Sequence, residues 1–113
     1  MGRKRRQILS YGVYEICMRT KRGLPFVCTA YMNLLLKGIL ARVQRDLKVI
    51  LCHHLWNGNH PHIIIRARDS AQCTHFYGEV QKQITDSIKR LLGRKHLNLW
   101  QKNGTSVVPY GDV

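Results

Sequence analysis

The sequence predicts a single α+β domain, an antiparallel sheet with two helices against one face. Three observations predict it. Two segments carry apolar residues at three- and four-residue spacing, the period of a helix with one buried side. Shorter β-branched or alternating segments lie between and around them, in the order β-α-β-β-α-β. The 113 residues suffice for one two-layer core and not for a second. This order is the split-βαβ, ferredoxin-like arrangement, with the second sheet face left open.

Residues 9–20 alternate as a half-buried strand, with Tyr14, Ile16 and Met18 on one side and Glu15, Cys17 and Arg19 on the other. The basic turn Lys21-Arg22-Gly23-Leu24-Pro25 ends it. Thr29 is the expected N-cap of a helix to about Leu47, whose stripe is Met32, Leu35, Leu36, Ile39, Leu40, Val43 and Leu47. Gly38 weakens that helix by roughly 1 kcal/mol relative to Ala without ending it. Lys48 to Trp56 reads as the second strand, being too short and β-branched for another helix. Asn57-Gly58-Asn59-His60 has turn chemistry, and His60 to Ala67 is a third strand antiparallel to the second. Asp69 or Ser70 caps a second helix to about Leu92, with Cys73, Phe76, Tyr77, Val80, Ile84, Ile88 and Leu91 facing the core. Gly93 is its C-terminal stop. Leu97 to Trp100, a turn at Asn103-Gly104, and Ser106 to Val108 supply one or two final short strands.

Lys and Arg number 19 against 6 acids, a formal charge of +13, which implies a polyanionic partner. No apolar run is long enough to span a bilayer, and Gly2-Arg3-Lys4-Arg5-Arg6 leads into a strand pattern rather than a signal-peptide core. A cytoplasmic protein with no membrane contact is expected. The cysteines Cys17, Cys28, Cys52 and Cys73 form no Cys-x-x-Cys pair, which argues against a zinc ribbon and, in that compartment, against a disulfide framework. Cys52 and Cys73 sit in apolar patterns and are expected to be buried thiols.

The densest chemistry lies in Trp56-Asn57-Gly58-Asn59-His60-Pro61-His62-Ile63-Ile64-Ile65-Arg66. On a strand, residues two apart share a face, so His60 and His62 project together and can hold one cation. With Ile63 and Ile65 toward the helices, His60, His62, Ile64 and Arg66 face the open side, placing a guanidinium beside two imidazoles. Neutral imidazole binds several divalent metals, a bound ion can polarise a phosphoryl oxygen, and Arg66 can clamp a phosphate. A third ligand is required, and His53, His54, Glu79 and Gln101 are all candidates. The plain alternative is that the two histidines merely hydrogen-bond to the turn.

Tyr14 to Pro25, the turn with His-Pro-His, and the helix segment Phe76-Tyr77-Gly78-Glu79-Val80-Gln81-Lys82 together resemble the single-tyrosine transposases. These are the IS200-like group, including relatives associated with repetitive extragenic palindromes. The resemblance covers most of the chain and is most specific at Arg19-Thr20-Lys21-Arg22 and at the central His-x-His, the family's His-hydrophobe-His (HUH) motif. It implies a ferredoxin-like sheet, with His60 and His62 as ligands of Mg²⁺ or Mn²⁺ against the scissile phosphate of single-stranded or hairpin DNA. It also implies strand transfer, DNA transposition and recombination through a tyrosine that forms a 5′-phosphotyrosine.

Two features depart from the family pattern. Pro61 stands where a larger hydrophobe is usual and removes an amide donor. By comparison with the family pattern the expectation is one domain over residues 1–113 that lacks the tyrosine-bearing helix and binds metal and DNA without a recognisable nucleophile. Tyr14, Tyr31 and Tyr77 lie in strand and helix patterns and are expected to pack in the core. Tyr110 comes late enough to be the catalytic tyrosine but lies in a turn-like context.

Arg19, Lys21, Arg22, Arg66 and Arg68 are the expected phosphate contacts, with salt-sensitive binding. Trp56 and Trp100 can stack on bases, though packing is the expected role. A chain without the tyrosine-bearing helix is expected either to be a monomer or to pair as a homodimer through an exposed sheet edge. The same element order also describes an RNA-binding module, but His-Pro-His-Ile-Ile-Ile-Arg-Ala lacks the aromatics which that module places on its third strand. A basic structural protein whose histidines carry no metal is the third possibility.

Overall fold

A computed structural model describes residues 12–21, 30–57, 60–101 and 104–112. Six elements follow in the expected order: β1 (Gly12–Cys17), α1 (Ala30–Leu47), β2 (Ile50–Asn57), β3 (His60–Ala67), α2 (Ser70–Leu92) and β4 (Ser106–Asp112). The strands form one sheet in the order β2-β3-β1-β4, with every neighbouring pair antiparallel. This is the ferredoxin-like split-βαβ topology, in which α1 leads from β1 past β3 to the edge strand β2, and α2 leads from β3 past β1 to the edge strand β4.

The helices pack on each other and on one sheet face. Ile16 of β1, Trp56 of β2, and Ile63 and Ile65 of β3 meet Met32, Leu36, Ile39, Leu40 and Val43 of α1 and Cys73, Phe76, Val80, Ile84 and Ile88 of α2 in one buried cluster. Each large apolar side chain buried this completely contributes roughly 1.5–3 kcal/mol of transfer free energy.

The caps are specific. Asp69 accepts from the Gln72 amide at 2.8 Å as the N-cap of α2. Gly93, in the left-handed conformation at φ 66°, ends that helix, with its own amide bonded to the Arg90 carbonyl and the Arg94 amide bonded to that of Lys89. α1 ends in a similar way, the Val49 amide reaching the Gln44 carbonyl at 3.2 Å, but there the left-handed position is held by Lys48 at φ 58°. Lys48 is therefore a helix stop and not the start of the second strand. Thr29 and the turn from Arg22 to Pro25 lie outside the described residues.

Several other expectations need correction. Leu91 is 59% exposed, because 23 residues of α2 span about 34 Å and overrun strands of about 27 Å. Tyr31 is 51% exposed, since it falls off the stripe that buries its neighbour Met32, whereas Tyr14 and Tyr77 pack against the core as expected. Leu97 to Trp100 forms no strand; Trp100 makes one bridge to Thr20, flanked by bonds from Lys21 N to Leu99 O and from Gln101 N to Arg19 O. Gly104 closes the turn after it, donating to the Gln101 carbonyl at 2.9 Å, and a Cβ there would sit 2.9 Å from that oxygen.

Cys52 is exposed rather than buried, while Cys73 is buried as expected. The register of β2 against β3 slips between Leu51 and His53, making Cys52 the extra residue of a β-bulge. Burial pushes the Cys73 thiol up to about 11.

Candidate functional site

β3 alternates along its whole length. Pro61, Ile63, Ile65 and Ala67 are buried toward the helices, and His60, His62, Ile64 and Arg66 are half-buried on the open face. The expected division of this strand is therefore the observed one. Pro61 fits because its backbone faces β1: its carbonyl accepts from Met18 N at 3.2 Å. It has no amide to return, and the β1–β3 ladder accordingly ends at Cys17 and His62. Beyond that point the chain pairs with Leu99 to Gln101 instead, which carries Arg19 into the neighbourhood of His60.

His60 is held below the usual imidazole value, first by burial, then by the Arg19 guanidinium and then by His62. All three effects favour the neutral, metal-binding form. His62 donates from Nε2 to Oε2 of Glu15 at 2.7 Å. Glu15 pairs with Ile64 across β1 and β3, two register steps from the Cys17–His62 pair and therefore on the same face, so its carboxylate reaches diagonally over the open face.

The four candidate third ligands are scattered. His53 pairs with Ile64 and so shares the open face, out on the edge strand β2, whereas His54 pairs with Ile63 and faces the helices. There its Nδ1 is buried with no hydrogen-bond partner among the described residues, and its basicity is reduced by burial, then by His53 and Lys37. Glu79 lies in the helical layer and accepts from Gln83 Nε2 at 3.3 Å. Gln101 follows the Trp100 bridge beside Arg19. Among the described residues no three His, Cys, Asp or Glu side chains gather into a set that could hold a metal ion. The group that does reach one of the two histidines is Glu15, at His62. Its signal in the sequence was weak: an acid alternating with apolar residues on a strand whose partner was unknown.

Arg66 is on the histidine face but four residues from His62, about 13 Å along the strand, so it is not beside the imidazoles. Arg68 is exposed beyond the far end of β3, with its Nε 3.5 Å from Asp69. Lys21 is exposed next to the Thr20 bridge, and Arg22 lies outside the described residues. Tyr110 belongs to β4 and not to a turn. It follows Pro109, the partner of Tyr14, whereas the residue level with Cys17 and His62 is Ser106; its backbone is thus roughly 15 Å from that of His62, two strands away.

Both tryptophans pack. Trp56 is 2% exposed, and Trp100 donates from Nε1 to Thr85 Oγ1 at 2.9 Å and to the Gln81 carbonyl at 3.2 Å. Among the described residues no helix is long and apolar enough to cross a membrane.

No protein-family model and no curated protein matches the chain. Among solved structures the chain is similar to a REP-associated tyrosine transposase bound to a REP hairpin, with a TM-score of 0.66 and 18% sequence identity. The similarity takes in 100% of this chain and 64% of that one, so the chain spans less than two thirds of that protein's length. The two share a fold.

Proposed function

We propose that the open sheet face is the DNA-binding surface of a protein of the single-tyrosine transposase type, the whole chain being one such domain. In this reading His60 and His62 hold Mg²⁺ or Mn²⁺ against a phosphate of single-stranded or hairpin DNA. The observation that carries it is the placement of two imidazoles on the open face of a central strand, with the Arg19 guanidinium near His60. The likeness to a transposase solved on a DNA hairpin supports the choice of polyanion.

Two nitrogen donors suit a cation whose remaining positions are taken by oxygen atoms of water and phosphate. The ion would supply Lewis-acid polarisation of a phosphoryl oxygen. Arg19 and Lys21 would fix the backbone near it, with Arg66 and Arg68 tracking the strand farther along. The backbone of Tyr110 lies roughly 15 Å from that of His62, and the nucleophile of the family reaction is not assigned to it in this reading. A DNA partner and the free thiols Cys17, Cys52 and Cys73 suit a cytoplasmic protein, and the edge strands β2 and β4 offer a second copy a place to pair.

Among the described residues no third ligand gathers beside the two imidazoles, which favours a second reading, a non-catalytic nucleic-acid-binding module of the same fold. Calorimetric titration with Mn²⁺ separates the two. Binding by the wild type that is lost in both His60→Ala and His62→Ala supports the metal site. No heat from the wild type, with hairpin DNA still bound in the presence of chelator, leaves the module.

A further inference from the structure

We infer that Glu15 is a positioning residue for His62: it fixes the imidazole with its proton on Nε2 and presents Nδ1 to the cation. The inference rests on the metal reading above. Glu15 stands on a central strand paired on both sides, with Ile64 on β3 and with Val108 on β4, so its backbone is held by two ladders. The 2.7 Å separation is that of a charge-assisted hydrogen bond, and the two side chains are only 31% and 26% exposed, which limits competition from water.

The chemistry follows from what each group can do. An ionised carboxylate only accepts, so the ring nitrogen facing it must carry the proton. In a neutral imidazole the other nitrogen then holds the lone pair, and a cation at His62 binds there. A carboxylate behind a ligating histidine orients the ring and raises its basicity, and losing such a partner typically lowers metal affinity about 10- to 100-fold. Charge gives a second argument. Glu15 is the only acid in β1, β2 and β3 of a chain with formal charge +13. On a surface meant for phosphate, an isolated carboxylate would repel the ligand, and engagement with His62 offsets that cost.

The test uses two readouts on the full chain. Nitrogen-15 spectra of the imidazoles, recorded without metal about two pH units above the ordinary histidine value, report the tautomer of His62. Mn²⁺ titration reports affinity. The wild type is expected to show His62 protonated on Nε2. Glu15→Ala should give a mixture of tautomers and bind Mn²⁺ about 10- to 100-fold more weakly. Glu15→Gln, whose amide oxygen still accepts, should keep the tautomer and most of the affinity, and it also serves if the alanine variant does not fold. An unchanged His62 tautomer in Glu15→Ala overturns the inference. So does loss of affinity in Glu15→Gln with the tautomer kept, which would make Glu15 a ligand itself. Absence of Mn²⁺ binding in the wild type refutes the metal reading instead, and the tautomer spectra still decide whether Glu15 sets the ring.

Discussion

Gln72 ties the start of α2 to the end of α1: its Nε2 donates to the Leu47 carbonyl at 2.8 Å while its Oε1 accepts from the Arg68 amide at 2.7 Å. One side chain thereby satisfies a carbonyl left over at the end of α1 and an amide in the link between β3 and α2. Gln72→Ala is expected to cost about 1–2 kcal/mol, read as a lower urea midpoint with an unchanged slope. A midpoint equal to that of the wild type would mean that water replaces both bonds without loss.

Opposite backbone substitutions should both stabilise. Lys48 occupies a left-handed position at φ 58°, where glycine carries no steric penalty, so Lys48→Gly is expected to gain about 0.5–1 kcal/mol. Gly38 lies inside α1 with nothing within 4 Å of where a Cβ would stand, so Gly38→Ala should gain roughly 1 kcal/mol. Thermal melts of the two variants and their combination check the signs and, because the sites are independent, their additivity.

Acid should weaken the fold from a known place. His54 and His60 are both held below 6.5 in the folded protein, chiefly by burial. Below pH 6.5 the unfolded chain takes up protons that the folded one resists, so stability present above that pH is lost as pH falls toward the folded values. His54→Gln removes one of these groups and should give a shallower fall in urea midpoint between about pH 7.5 and pH 5.5. Equal slopes for variant and wild type would count against the burial of His54.

The thiols should react in a set order. Cys52 is exposed on the bulge and Cys73 is buried with its thiol pushed up to about 11. With an aromatic disulfide reagent at mildly alkaline pH, labelling located by peptide mass is expected at Cys52 first and at Cys73 only when denaturant is added.

DNA binding should report its charge contacts. Arg19→Ala and Arg66→Ala are each expected to weaken hairpin binding across sequences and to reduce the logarithmic salt slope by about 1. Fluorescence anisotropy over a range of salt checks this, and slopes unchanged in both variants would remove the open face from the interface.

Much of this fold was legible because its signals are local. The alternation along His60 to Ala67, the stripes of α1 and α2, the Asp69 cap and the Gly93 stop each lie within a few residues, and each stands where the pattern put it. Local patterns ran out at element ends, as at Leu91, Tyr31 and Lys48, where what lies opposite decides burial. The site was half legible: the shared face of His60 and His62 follows from strand geometry, whereas the pairing of Glu15 with His62 does not.

The sequence by itself determined the order of the elements, the inner and outer faces of β3 and the strong positive charge. Tertiary structure alone decided which side chains meet across strands. The bulge at Cys52 reverses the faces of His53 and His54, because side chains alternate with a period of two and one extra residue shifts every later one. In the same way, only the register of β1 on β3 brings Glu15 to His62, since pairing between segments almost fifty residues apart is set by the packed core and not by any pattern within either segment.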